Sequence, residues 1–136
     1  MKRVNQDIAA RLEQCGIALT RQRALIARVL FSRCAHWSAD QLLAKVNEEQ
    51  PEVSKATVYN TLRLFVDQGL AREVIVDPDR VFYDSNPNPH HHFYNVTSGQ
   101  LMDIPQDSIT LAKLPALPAG CEMEGVDIVL RIRSRA

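Results

Sequence analysis

The stretch Ser54–Gly69 constrains this chain more than any other. Serine is a preferred residue at a helix start, and glycine one that ends a helix. Between them Val58, Leu62 and Phe65 recur at i, i+4 and i+7, so the spacing predicts a helix over 55–68 with one buried stripe. Lys55, Thr57, Tyr59, Asn60 and Arg63 are left for other surfaces. Side chains able to reach phosphates or base edges are thus concentrated in the first turn. Such a helix N-terminus suits the major groove of double-stranded DNA, where base edges present donors, acceptors and thymine methyls.

The flanking pattern agrees. Residues 5–15 read as a helix with Ile8, Ala9 and Leu12 on one side, stopped by Gly16. Thr20 is positioned to cap a second helix over 21–33, whose Leu25, Ile26, Val29 and Leu30 form a stripe opposite Arg21, Arg23, Arg28 and Arg33. Ser38 caps a third over 39–48, with Leu42, Leu43 and Val46 inward, and Pro51 marks the linker after it. Two short strands, Ala71–Val76 and Val81–Asp84, flank Asp77-Pro78-Asp79-Arg80, which has the chemistry of a tight turn. Helices followed by a β-hairpin give the order of a winged helix-turn-helix, with the hairpin as the wing.

Ser85-Asn86-Pro87-Asn88-Pro89 is turn-rich and reads as a hinge. Beyond it His91–Val96 and Gln100–Ile104 read as strands joined through Thr97-Ser98-Gly99. Asp107–Leu114 reads as a short helix closed by Pro115, and Val126–Ile132 as a strand. The fold class is therefore α+β: a winged helix-turn-helix domain over 1–85, a hinge over 86–89 and a small α/β dimerisation domain over 90–136. So small a second lobe lacks a secure core, which predicts a homodimer; a dimer also suits a palindromic DNA site.

Charge points the same way. The chain is neutral overall, but residues 1–36 carry seven basic residues against the acidic Asp7 and Glu13, a bias that fits a phosphate-contacting surface. No run approaches the length needed to span a bilayer, and the N-terminus lacks an apolar signal core, so a cytoplasmic protein with no membrane partner is expected. Cys15, Cys34 and Cys121 are far apart and form no Cys-x-x-Cys pair, which argues against a disulfide framework and for buried, inert thiols. There is no His-Glu-x-x-His and no Gly-rich phosphate loop. Cys34 and His36 lie close in sequence, but nothing else supports a nucleophile and base, so an enzyme is not expected.

The histidines of the chain are His36, His90, His91 and His92. If the triplet opens a strand, alternation sets His90 and His92 on one face and His91 on the other. Imidazoles two residues apart can share a cation. A carboxylate and one further histidine would complete an N/O site suited to zinc, iron, manganese or copper. Asp84, at the end of the wing, is the nearest carboxylate, and His36 lies at the junction of the second and third helices. Spacing alone leaves metal, haem and a solvated cluster open.

Leu19-Thr20-Arg21-Gln22-Arg23, His36-Trp37-Ser38-Ala39, Ser54-Lys55-Ala56-Thr57-Val58-Tyr59-Asn60-Thr61-Leu62, Gly69-Leu70 and His90-His91-His92 together resemble the ferric uptake regulator (Fur) family of metalloregulators, over nearly the whole chain. Within it the chain is most similar to the iron response regulator (Irr) branch. The likeness lies in the Val58–Leu62 segment, in His92-Phe93-Tyr94 and in Asp127-Ile128-Val129-Leu130-Arg131-Ile132-Arg133. The resemblance implies a dimeric transcriptional regulator that binds palindromic operators and controls iron and haem homeostasis genes. Zinc, manganese or peroxide sensing is the alternative.

The resemblance also implies a ligand set. His36, Asp84, His90 and His92 match the family's interdomain metal ligands, for iron, manganese or zinc. His91 stands where an acidic residue of a separate metal site is expected, and Thr110 where a glutamate is expected, so that second site is not implied. Asn95 and Ser98, before Gly99, replace the Cys-x-x-Cys of a structural zinc, so no four-cysteine zinc is expected. Irr-like proteins are read as haem-responsive, which brings in His90, His91 and His92 as haem residues and haem, or a haem-delivering protein, as a partner. Their second haem motif, Gly-Cys-Pro, is not matched by Cys15-Gly16. On the DNA side Tyr59 matches a base-contacting tyrosine. Ser54, Lys55, Thr57 and Asn60 would contact bases or phosphate, and Arg21 and Arg23 phosphate. Ala18 stands where the family often places a basic residue for the minor groove.

Overall fold

A computed structural model describes residues 2–32, 36–49, 53–86 and 88–135. Arg33, Cys34 and Pro51, to which the sequence assigns a helix face, a thiol and a linker, lie outside the described residues. The chain divides into two compact units, Met1–Pro87 and Asn88–Ala136.

The first unit runs α1 (Lys2–Gln14), α2 (Arg21–Leu30), β1 (His36–Ser38), α3 (Ala39–Glu49), α4 (Lys55–Asp67), β2 (Arg72–Asp77) and β3 (Arg80–Asp84). Side chains start its helices. Thr20 Oγ1 accepts from Arg23 N–H at 3.1 Å, and Ser54 Oγ accepts from Thr57 N–H at 3.1 Å. Ser38 and Gln41 form a reciprocal capping box: each side-chain oxygen accepts from the other's backbone N–H at 3.1 Å. Glycine ends α4. Gly69 sits at φ +78°, Leu70 N–H reaches Phe65 O at 2.8 Å and Gly69 N–H reaches Val66 O at 3.1 Å, the paired bonds of a Schellman motif. The second helix stops at Leu30, with Phe31 as its cap, rather than continuing to 33.

Leu12, Ile26, Leu30, Leu42, Val46, Val58, Leu62 and Phe65 are fully buried and belong to one core cluster. Each helix contributes its apolar stripe, so α4 is held by Val58, Leu62 and Phe65 while Lys55, Tyr59 and Asn60 stay exposed. The sheet has the order β1-β3-β2. Strand β1 is an addition to the sequence reading. His36, Trp37 and Ser38 pair antiparallel with Asp84, Tyr83 and Phe82. Three residues beside a helix cap are too few to show a period of two.

The second unit holds β4 (His91–Asn95), β5 (Leu101–Ile104) and β6 (Val129–Ile132) in the order β5-β4-β6, with β4 antiparallel to β5 and parallel to β6. Asn95 builds the hairpin turn: its Oδ1 accepts from Thr97 N–H at 2.9 Å and Ser98 N–H at 3.2 Å. The helix expected over Asp107–Leu114 does not form. A single 3-10 turn, Gln106–Ser108, is followed by chain without helix or strand as far as Ile128. Pro115 and Pro118 disfavour the α conformation at Leu114 and Leu117, and Ile109 and Thr110 are β-branched. The last strand accordingly begins at Val129 rather than Val126. Cys121 is exposed and Cys15 partly so, which corrects the expectation of buried thiols. Among the described residues no helix is long and apolar enough to cross a membrane.

Candidate metal centre and nucleic-acid face

Strand pairing brings the candidate ligands together within each unit. In the first, His36 on β1 lies directly opposite Asp84 on β3. Residues so placed have their Cβ atoms about 5 Å apart, close enough for their side chains to meet. His36 Nε2 stands 3.1 Å from Asp84 Oδ2, and both side chains are largely buried. The other carboxylate oxygen, Oδ1, accepts from Asn86 N–H at 2.9 Å. The hydrogen bond fixes the carboxylate at the last residue of the wing.

In the second unit His92 on β4 lies directly opposite Asp103 on β5. Asp103 Oδ1 is 3.3 Å from His92 Nε2 and 3.1 Å from His90 Nε2. The two rings are 4.4 Å apart, centroid to centroid. The ligand atoms of His90, His92 and Asp103 all lie within 4.8 Å of one another, the spacing of donors around one cation. His92 is buried, whereas Asp103 is more than half exposed.

The proton arrangement sharpens this geometry. His90 Nδ1 lies 2.6 Å from Asn88 O, and a carbonyl oxygen only accepts, so Nδ1 carries the hydrogen. A neutral His90 then turns the lone pair of Nε2 towards a carboxylate oxygen. Two acceptors face each other unless a proton or a metal cation stands between them. The neutral imidazole with Nδ1–H bonded to a carbonyl is also the form in which histidine binds metals through Nε2.

His91 takes no part in this cluster. Its Nδ1 accepts from Ile128 N–H at 3.1 Å, while His92 N–H donates to Ile128 O at 3.1 Å. The middle histidine thus fastens the chain entering β6. Nothing in the sequence singles out Asp103. Its partnership follows from the hairpin register across Thr97-Ser98-Gly99, and the one available signal is to count both strands outward from that turn. Asn95 and Ser98, the places of the missing cysteine pair, instead make turn hydrogen bonds.

The expected DNA-contacting residues gather at the start of α4 and of α2. Ser54 Oγ and Thr57 Oγ1 are 2.9 Å apart, so the two hydroxyls share one hydrogen bond beside the cap. Lys55 Nζ lies 5.6 Å from the centre of the Tyr59 ring and 3.8 Å from Asp40 Oδ1. Tyr59 is 41% exposed. Arg21, at the start of α2, is exposed, and Arg23 gives one guanidinium N–H to Ala18 O at 2.9 Å. Asn60, next to Tyr59, is exposed as well. Behind Tyr59, burial lifts the Tyr83 phenol above its usual value near 10, and Glu73 and Tyr59 add to the rise.

A four-helix core with a wing and an exposed polar helix tip defines a winged-helix protein, and its second unit holds an imidazole–carboxylate cluster. The ferric uptake regulator family model matches residues 14–130, and the chain belongs to that family, one of transcriptional regulators. It is 34% identical over 99 residues to the peroxide-responsive repressor PerR of Staphylococcus aureus, a match that covers 73% of this chain and 67% of that one. Its fold is similar to that of the Pseudomonas aeruginosa ferric uptake regulator solved with manganese (TM-score 0.69, 22% identity, covering 94% of this chain and 98% of that one). It is equally similar to that of the Vibrio cholerae ferric uptake regulator (TM-score 0.70, 21% identity, covering 90% and 96%).

Proposed function

We propose that this chain is a DNA-binding transcriptional regulator whose affinity for its operators is set by a divalent cation held by His36, Asp84, His90, His92 and Asp103. The observation that carries the reading is Asp103 Oδ1, which faces the Nε2 atoms of both His90 and His92 while Asn88 O fixes the His90 tautomer. With the His36–Asp84 pair the donor set is three imidazole nitrogens and two carboxylates. That set suits iron, manganese or zinc in the divalent state and no four-thiolate zinc.

A bound cation would supply a cross-link between the wing and the histidine strand. His36 and Asp84 would hold it from the first unit, and His90, His92 and Asp103 from the second. The hinge at 86–89 lies between these groups in sequence. Fixing its angle in both copies of a homodimer would set the spacing of the two α4 tips, and so the fit to a palindromic site in double-stranded DNA. Ser54, Lys55, Thr57, Tyr59 and Asn60 would address bases and nearby phosphates, with Arg21 and Arg23 on the backbone.

The signal read through this site is metal supply or peroxide, the latter suggested by the PerR relatives. Haem, which the Irr-like features of the sequence imply with control of iron and haem genes, fits these residues less well. His92 is buried beside a carboxylate, and His91 Nδ1 is occupied by Ile128 N–H.

One titration tests the reading. Purified protein is stripped with a chelator and offered Mn(II), Fe(II) under nitrogen, Zn(II) or haem, and its binding to operator-containing duplexes is followed by anisotropy. A change of tenfold or more in DNA affinity with one of the divalent ions is expected. DNA affinity indifferent to every ion and to chelation would refute the proposal. A Soret band lost with His90, His91 and His92 changed to alanine, together with haem-dependent DNA release, would replace the ion by haem.

A further inference from the structure

We infer that the Tyr83 hydroxyl is a further DNA contact, offered by the wing strand β3 beside Tyr59 to a hydrogen-bond acceptor on the duplex. The inference rests on the DNA-binding reading above and extends its contact surface from α4 to the wing.

The sheet fixes the ring. Tyr83 lies opposite Trp37 on β1 and Glu73 on β2, so the three side chains share one face. That face is turned to the helices: Trp37 and Tyr83 belong to the core cluster that includes Val58, Leu62 and Phe65 of α4. Tyr83 is only 8% exposed. Tyr59 follows Val58 on α4 and emerges at the surface. Glu73 and Tyr59 both act on the Tyr83 phenol by their charge, so the three groups lie close together.

The hydroxyl is not accounted for by the fold. A tyrosine buried to this degree normally finds a partner for its O–H within the protein. Among the described residues no hydrogen bond reaches the Tyr83 hydroxyl, and its oxygen is not sealed from solvent. The first unit thus holds a polar atom at the rim of its core, next to the tyrosine proposed to read bases. Its ring is already packed, so a hydrogen bond made there orders no further side chain.

The neighbours select the partner. A phenol is protonated at neutral pH and can donate. The exposed Glu73 carboxylate repels phosphate oxygens. Base edges in the major groove carry uncharged acceptors instead: purine N7, guanine O6 and thymine O4. An acceptor next to the base met by Tyr59 fits both conditions.

The test uses the full chain with Mn(II). Wild type selects a duplex from a random pool. Anisotropy then compares that duplex with a random one for wild type, Tyr59→Ala and Tyr83→Phe. Tyr83→Phe keeps the ring and loses only the hydroxyl. It is expected to bind the selected duplex about 3- to 10-fold more weakly, the loss of one hydrogen bond. Its binding to the random duplex and its urea midpoint at neutral pH are expected to match wild type. Single base-pair changes in the selected duplex locate the contact. At one position wild type should lose affinity and Tyr83→Phe should not, and Tyr59→Ala should be indifferent at a different position. An equal loss on both duplexes with the midpoint unchanged would uphold the contact and move its acceptor to a phosphate oxygen. Equal losses with a lowered midpoint would assign the hydroxyl to the fold and overturn the inference. Unchanged binding to both duplexes, or indifference of both variants at the same base pair, would overturn it while leaving Tyr59 in its role. A wild type that selects no duplex would overturn the DNA-binding reading and the inference together.

Discussion

Asp103 and His92 are direct neighbours across the β4–β5 pair, and the carboxylate oxygen that faces His92 also faces His90. That single oxygen stands between two imidazoles, so the charge of Asp103 acts on both. Asp103→Asn keeps the shape and removes the charge. It is expected to lower Mn(II) affinity about 10- to 100-fold in calorimetric titration. His91→Ala, which removes a group turned towards Ile128, is expected to change it less than Asp103→Asn does. An Asp103→Asn protein that titrates like wild type would remove this carboxylate from the ligand set.

How much of this was legible beforehand differs by element. The four helices were, because Thr20, Ser38, Ser54, Gly16 and Gly69 mark their ends and apolar residues recur at the helical period. His36 and Asp84 stand out in the sequence as the remaining histidine and the nearest carboxylate, but not as neighbours, because the strand that pairs them is three residues long. Asp103 was illegible for a related reason: eleven positions from His92, it meets that residue only through strand register. The helix expected over 107–114 is absent; Ile109 and Thr110 are β-branched, and Pro115 keeps Leu114 out of the α range.

The DNA contacts proposed for the tip of α4 are of two kinds. Lys55→Ala is expected to weaken binding to all duplexes alike and to reduce the slope of log affinity against log salt by about 1. Tyr59→Ala should leave that slope and narrow the gap between operator and random duplex. Asp40→Asn removes the carboxylate 3.8 Å from Lys55 Nζ and is expected to tighten non-specific binding at low salt. Anisotropy at several salt concentrations checks all of these; equal slopes for Lys55→Ala and wild type would exclude a phosphate contact.

Tyr83 links the wing to stability at high pH. Its phenol is raised in the folded chain by burial first, then by Glu73 and Tyr59. A raised value means the unfolded chain ionises first. The contribution is fully present below pH 10, the unfolded value, and is lost as pH climbs through the higher folded value. Urea midpoints are therefore expected to fall above pH 10 in wild type, and to fall less in Tyr83→Phe. Parallel curves would show that Tyr83 is not responsible.

Gly69 offers a clean backbone test. A Cβ built there meets nothing within 4 Å, so any cost of Gly69→Ala comes from the positive φ alone. The expected loss is about 1–2 kcal/mol in urea unfolding. A gain in stability would show that the helix end can relax out of that conformation.

The pairing of His92 with Asp103 also fixes the length of a loop that touches neither residue. Side chains alternate along a strand, so one residue added or removed between Asn95 and Leu101 that shifted the pairing by one step would turn the other face towards the carboxylate. His91 would then compete for the place of His90 and His92. The hairpin tip is exposed, where insertions are usually harmless. Here a single-residue insertion is expected to abolish the metal binding proposed for this cluster.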